Sequence, residues 1–382
     1  MPVSPDQAEW FADAFERLVD NIDQAILGKR DVIRLVLTAL LSDGHILLED
    51  VPGTGKTVLA KSLAATIDGR SSRIQFTPDL LPSDVTGVSI YDQAKERFEF
   101  HPGPIFASIV LADEINRASP KTQSALLEVM EEGVVTIDGV GHPVGRPFMV
   151  IATQNPVEQA GTYALPEAQL DRFLIRTSLG YPDDATAVAL LLDSANRARA
   201  EHVTPIIAAG SVAKMARMTD DVHADPAVME YITAIASATR ADDRVALGVS
   251  MRGALALARA IRTWALASGR AFVTPDDVRE LAVPVLAHRI IVDPEAEFSG
   301  VTGIQVVDRA VAGVAPPTSR SPAAAPPSAR AATTPGSESS EPPASDVADD
   351  ATSARPTPGS AAPGSASPGS AAPSDAEDDA DA

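Results

Sequence analysis

The sequence predicts an α/β domain, a parallel sheet between helical layers, followed by an all-α domain and a disordered C-terminal tail. Three observations predict it. The apolar run Ile46-Leu47-Leu48 enters a glycine loop, Val51-Pro52-Gly53-Thr54-Gly55-Lys56-Thr57, and a helix-period run from Val58 to Ile67 leaves it. Two more apolar runs end on Asp113-Glu114 and on Gln154-Asn155. Short apolar runs separated by helical patterns read as buried parallel strands. After Tyr181-Pro182 the periodicity turns helical, and from about Pro316 the composition collapses into Ala, Pro, Ser, Gly and acids. The expected divisions are residues 1–182, 183–300 and 301–382, the last too poor in large apolar side chains to fold.

Residues 5–27 read as a helix, with Trp10, Phe11, Phe15, Leu18, Val19 and Ile22 at helical spacing. Ile26-Leu27-Gly28 precedes a second helix, Asp31 to Leu41. A segment so placed either lies against a nucleotide base or simply packs between helices. In the glycine loop, successive N–H groups can turn inward as an anion nest on a helix N-terminus. Lys56 would reach the outer phosphates and the Thr57 hydroxyl would hold Mg²⁺. Pro52, Gly53, Thr54, Gly55, Lys56, Thr57 and Val58 are the expected ATP contacts, with Gly28 at the base. Asp50 departs from the full phosphate-loop pattern, which begins with Gly.

Arg73-Ile74-Gln75-Phe76 reads as a second strand and Thr77 to Gly87 as a short helix bounded by prolines. Val88–Tyr91 and Arg97–Phe100 pair as a hairpin, either a ring-pore or partner loop or a plain surface hairpin. Ser108 to Glu114 is a buried strand with an acidic end. Asp113 would hold Mg²⁺ through water, and Glu114 would orient and polarise the attacking water as a general base. Ser119 and Pro120 open a helix that Gly133 stops, and Asp138-Gly139 turns a second hairpin. Pro147 to Thr153 is another buried strand. Asn155, just past its carboxyl end, stands where ligands bind in parallel sheets and would bond the γ-phosphate or the attacking water. Leu165 to Phe173 reads as a short helix ending on Asp171-Arg172, before the strand Phe173-Leu174-Ile175. Arg172 is either an arginine finger aimed into a neighbour's site or half of a surface pair with Asp171.

The second domain reads as helices near 186–200, 211–218, 227–240, 250–267 and 275–290. Arg252 stands at a helix start, where the dipole does not favour a cation. It is either matched by an anion, the nucleotide's phosphates, or simply solvated.

Composition narrows the classes. The chain has 382 residues, a net charge of −21 and no Cys, which removes disulfides, thiolate metal sites and cysteine nucleophiles. The start of the chain lacks a signal pattern and no apolar run can span a bilayer, so a soluble cytoplasmic protein is expected. The stretch from Ala315 onward holds ten acidic and three basic residues, leaving −14 on residues 1–314. Such a surface is a poor partner for nucleic-acid phosphates, so no nucleic acid is expected. The six His residues show no metal-ligand spacing.

Together these stretches resemble the MoxR family of AAA+ ATPases. The residues that carry the resemblance are Val51 to Thr57, Gln75-Phe76-Thr77-Pro78-Asp79-Leu80-Leu81-Pro82-Ser83-Asp84, Leu111 to Ala118, Ala152-Thr153-Gln154-Asn155-Pro156 and Leu165 to Phe173. They cover roughly residues 20 to 295. The resemblance implies that Gly55, Lys56 and Thr57 lie in Walker A and Asp113 and Glu114 in Walker B. It makes Asn155 sensor 1, Arg172 the arginine finger and Arg252 sensor 2. It makes Val88–Phe100 the helix-2 insert and Val134–Val144 the pre-sensor-1 hairpin. The family further implies a homo-hexameric ring acting as a chaperone-like motor, working with von Willebrand factor A (VWA) domain proteins on client complexes. The mechanism expected from this reading has ATP between core and lid of one subunit, completed by Arg172 of the next, with hydrolysis rocking lid against core. The rival reading from another class is a nucleic-acid-dependent ATPase motor.

Overall fold

Ser4 opens the first helix, α1 (Pro5–Asp23). Its hydroxyl accepts from the Gln7 N–H, and the Gln7 side chain accepts from the Ser4 N–H, so two otherwise orphaned donors are satisfied. The computed structural model describes residues 2–155, 162–192 and 203–317. Phe11, Phe15, Leu18 and Ile22 line the buried face of α1, which packs on α2 (Arg30–Leu41). β1 (Ile46–Glu49) then runs through the glycine loop into α3 (Lys56–Thr66).

β2 (Ser71–Gln75) leads to one helical turn, α4 (Pro82–Thr86), and to the hairpin β3 (Gly87–Asp92) and β4 (Arg97–Pro102). β5 (Ile109–Asp113) is followed by α5 (Pro120–Glu132), a second hairpin of β6 (Val134–Ile137) and β7 (Val140–Pro143), and β8 (Met149–Gln154). α6 (Glu167–Leu170) and β9 (Ile175–Thr177) close the domain. The five core strands are all parallel, in the order β2-β5-β8-β1-β9.

Period-2 alternation explains the layering. Ile46, Leu48, Ile109, Leu111, Met149 and Ile151 feed one hydrophobic cluster, which includes α1, α2 and α3. Leu47, Val110, Ala112, Val150 and Ala152 feed the other, with α5. The two hairpins stand side by side, joined by Phe100 stacked on His142 with ring centroids 4.1 Å apart. Ile90, Tyr91, Phe98 and Val140 on them are exposed.

The second domain, the lid, contains α7 (Asp184–Leu192), α8 (Ala209–Asp220), α9 (Pro226–Arg240), α10 (Met251–Ala267) and α11 (Pro275–Leu286). The helix expected over 186–200 begins two residues earlier, and its portion from 193 lies outside the described residues. The domain is helical, with one small strand pair added. β10 (Val245–Leu247) pairs with β11 (Ile291–Val292), strands too short to show alternation in sequence. The helix expected to reach Ile290 gives way to a 3₁₀ turn, Ala287–Arg289.

The lid also runs past residue 300, correcting the expected boundary. After the short α12 (Pro294–Phe298) comes α13 (Gly303–Gly313). Thr302 and Gln305 form its capping box, and Val306, Val307 and Ala310 bury against α9 and α11. The tail from 318 lies outside the described residues.

Lid and core share one hydrophobic cluster. It runs from α1, α2 and β9 into α8, α9, α10, α11 and α13. Arg289, 7 % exposed, reinforces this junction. Its guanidinium pairs with Asp171 at 2.6 Å and donates to the Phe173 carbonyl at 2.8 Å. Asp171 is therefore engaged by the lid, and Arg172 pairs with Glu131 rather than with Asp171, the alternative partner expected for it.

His45, just before β1, is buried with both nitrogens engaged. Nε2 donates to the Met130 carbonyl at 2.9 Å and Nδ1 accepts from the Val150 N–H at 3.0 Å. Burial pushes its pKa down to about 4. The unfolded chain takes up this proton near pH 6.5 and the folded chain only near 4, so stability rises with pH across that window. We expect unfolding free energy, fully present above pH 6.5, to fall by about 3 kcal/mol as pH drops through 4. Urea titrations at pH 7.5 and 4.5 check this, and His45→Asn should make the slope shallower, with His288, whose pKa burial likewise pushes down, supplying the remainder.

Candidate active site

The sheet order brings three strand ends together, because β5, β8 and β1 are neighbours. Their carboxyl ends carry Asp113-Glu114, Asn155 and the glycine loop respectively. The β1–β8 register sets Glu49 beside Gln154, so Asn155 comes level with the start of the loop.

The loop's path depends on glycine at two positions. Gly53 and Gly55 have φ of +88° and +97°, a region open to Gly without the cost a Cβ imposes. Gly55 caps α3, so the first-turn N–H groups of that helix face the loop. The Lys56 ammonium donates to the carbonyls of Asp50 at 3.2 Å and Val51 at 3.0 Å, which holds it over the loop. Thr57 follows in the same helical turn. Pro52, Thr54 and Val58 belong to the same loop and first turn. Gly28, at φ +73°, lies against Thr186 of α7, and the adjacent Lys29 donates to the Tyr181 carbonyl at 2.8 Å. The segment before α2 thus meets the entry to the lid.

Asp113 is 9 % exposed. One carboxylate oxygen accepts from the Thr153 hydroxyl at 2.7 Å, and the other pairs with Arg73 at 2.6 Å. The Thr153 hydroxyl in turn accepts the Glu114 N–H at 2.9 Å. Glu114 has φ +56°, a left-handed conformation uncommon for a residue with a side chain and concentrated at functional sites. Its carboxylate accepts from Gln75 at 3.0 Å and Arg117 at 2.9 Å. Buried oxygen donors at Asp113 and the hydroxyl type at Thr57 match what a hard divalent cation such as Mg²⁺ takes.

Arg73, Gln75 and Thr153 were not singled out in the sequence. The signal was present: Arg73 and Gln75 are two apart on one strand, hence on one face, and Gln75 lies opposite Asp113. Glu131 was also missed, and it reorganises the reading of the two arginines. Its carboxylate pairs with Arg172 at 3.2 Å and with Arg252 at 2.9 Å. The Nε of Arg172 is buried and finds no acceptor among the described residues. This cluster borders a cavity of about 150 Å³ with Asp43 and His45. His45 precedes β1, and the Leu174 N–H, ahead of β9, donates to the His45 carbonyl at 2.8 Å. Arg172 and Arg252 therefore sit at the amino ends of the strands, while the glycine loop follows a carboxyl end. Arg252, expected to be matched by the nucleotide's phosphates or to be solvated, is matched here by the Glu131 carboxylate.

Comparison with known proteins supplies the family. The family described as "ATPase family associated with various cellular activities (AAA)" matches residues 45–175, and an AAA lid domain matches 237–310. The chain is 50% identical over 305 residues to the uncharacterized protein YeaC of Bacillus subtilis, covering 80% of this chain and 95% of that one. It is 39% identical over 316 residues to Chaperone MoxR1 of Mycobacterium tuberculosis, covering 79% and 82%. Protein MoxR of Paracoccus denitrificans is 32% identical, covering 76% and 92%. The crystal structure of a candidate ATPase from Cytophaga hutchinsonii superposes with a TM-score of 0.76 at 37% identity, covering 81% and 97%. With a phosphate loop, an acidic strand end and a polar amide converging at the sheet's carboxyl edge, and with MoxR relatives matched over most of both chains, this chain belongs to the MoxR family of AAA+ ATPases.

Proposed function

We propose that this ATP hydrolase works as a ring of identical subunits, with six as the expected number. ATP held by one subunit's loop is cut when the next contributes Arg172 and Arg252. The observation that carries this reading is the shared Glu131: both arginines lie together at the sheet edge opposite their own loop. A head-to-tail contact sets such an edge against a neighbour's loop, and a closed set of such contacts is a ring. Each Arg then adds positive charge where negative charge accumulates on the transferring phosphoryl group.

Within the receiving subunit, Lys56 and the loop N–H groups bind the phosphates. Glu114 takes the proton of the attacking water, and Asn155 orients that water or the γ-phosphate. Thr57 and Asp113 would hold Mg²⁺, which when bound neutralises phosphate charge. The product of the cycle is chaperone-like remodelling, maturation or activation of protein complexes, with a VWA-domain protein as partner. The name of the Mycobacterium tuberculosis relative supports the chaperone part. The exposed hairpin residues Ile90, Tyr91 and Phe98 supply an apolar face suited to a protein client.

The test uses Glu114→Gln rings, which bind ATP without cutting it. With ATP, and not ADP, they should retain a VWA-domain protein together with its complex. ATPase stimulation by DNA at physiological salt, with no protein retained, would favour the nucleic-acid motor instead.

A further inference from the structure

Asp50 stands where the phosphate-loop pattern has glycine, and its side chain is 4 % exposed. One carboxylate oxygen accepts from the Ser178 hydroxyl and the Gly180 N–H, both at 2.8 Å. The other accepts from the Leu179 N–H at 2.7 Å. Residues 178–180 form the strap between β9 and α7. The backbone of Asp50 faces the nucleotide machinery. Its carbonyl accepts from Lys56, and its N–H donates to the Gln154 carbonyl, one residue before Asn155. One residue thus touches the phosphate-binding lysine, the strand end carrying Asn155 and the strap. None of the described α7 side chains is buried, whereas α8 to α11 and α13 are fused to the core. Among the described residues, α7 is therefore held by the strap, beside the Gly28–Lys29 segment that meets it at Thr186 and Tyr181.

We propose that Asp50 is a positioning residue that makes the strap, and with it α7, follow the state of the phosphate loop. The reason is mechanical. Lys56 is shared between two loop carbonyls, and the phosphates of a bound nucleotide, ADP included, compete for its ammonium. Asp50 then loses a backbone partner on one side while its carboxylate grips three donors on the other. A glycine in its place would leave the loop able to move without the strap.

The inference rests on the loop being the nucleotide site, so nucleotide affinity is measured separately from strap behaviour. The experiment is hydrogen exchange of the full-length protein with and without ADP, in the wild type, Asp50→Gly, Asp50→Asn and Ser178→Ala. In the wild type, ADP should slow exchange at Leu179 and Gly180 by about tenfold. Asp50→Gly should bind ADP within about threefold of wild type, as expected when the N–H nest and Lys56 remain, yet show no ADP effect on the strap. Asp50→Asn should resemble Asp50→Gly, because its amide N–H₂ opposes a strap N–H. A merely space-filling role would instead let the isosteric Asn behave as wild type. Ser178→Ala removes one of three bonds from the strap side and should weaken the response partly. Its kcat should fall with KM little changed. ADP that binds the wild type without altering the strap would overturn the inference, as would a wild-type strap response in Asp50→Asn. Failure of ADP to bind the wild type would overturn the nucleotide-site reading itself.

Discussion

Glu114→Gln should reduce ATP turnover by about 10²–10⁴-fold while leaving ATP affinity nearly unchanged. The substitution keeps shape and the capacity to accept the Gln75 hydrogen bond, but removes the basic oxygen. Glu114 is well placed to act as that base. The end of β5 carries it, its backbone is in the left-handed region at φ +56°, and Gln75 and Arg117 fix the carboxylate. Binding, by contrast, depends on the loop N–H groups and Lys56, which this change does not touch. Phosphate release in steady state and equilibrium nucleotide binding measure the two effects separately. Turnover at the wild-type rate would remove Glu114 from the chemistry. Arg117→Ala makes a useful companion, since it frees the carboxylate without deleting it and should cost far less.

The other large effect concerns Arg172 and Arg252. Each Ala variant alone should lose about 10³-fold or more of turnover, the usual size for an arginine that stabilises charge on a transferring phosphoryl group. The decisive measurement mixes them with Lys56→Ala subunits, which lack a working loop but carry both arginines. In an equal mixture about a quarter of the subunit contacts would join an intact loop to intact arginines, given a head-to-tail ring. Activity should therefore reappear with Arg172→Ala, with Arg252→Ala and with the double variant. If Arg252 served its own subunit's ATP, its mixture would stay silent while that of Arg172 recovered. The shared contact with Glu131 is why the two should behave alike.

Most of the core was readable because its signals are local. The strands β1, β5 and β8 are apolar runs closing on the functional residues themselves, and Ser119, Pro120 and Gly133 bound α5 where capping preferences put them. The arginine cluster was not readable. Glu131 lies 41 positions from Arg172 and 121 from Arg252, and nothing in the local pattern of an exposed helix end marks it as their common partner. Asp50 gave a visible signal, a carboxylate where glycine is usual, whose meaning appeared only once residues 178–180 folded back beside it. The last lid helix was legible but overlooked. Thr302 and Gln305 spell a helix start, and Val306, Val307 and Ala310 give its buried face, yet they adjoin a compositionally monotonous tail. β10 and β11 had no sequence signal to find.

The hydrophobic cluster common to both domains bears on where force can arise. A hinge needs a seam that opens without exposing oily surface, and between this lid and its own core no such seam exists along α1, α2, α10 and α11. The clamp of Arg289 on Asp171 and the Phe173 carbonyl would have to break as well. In the proposed ring each protomer would then move as a solid wedge, and the stroke of the engine would fall at the joints between wedges, where Arg172 and Arg252 would meet a foreign triphosphate.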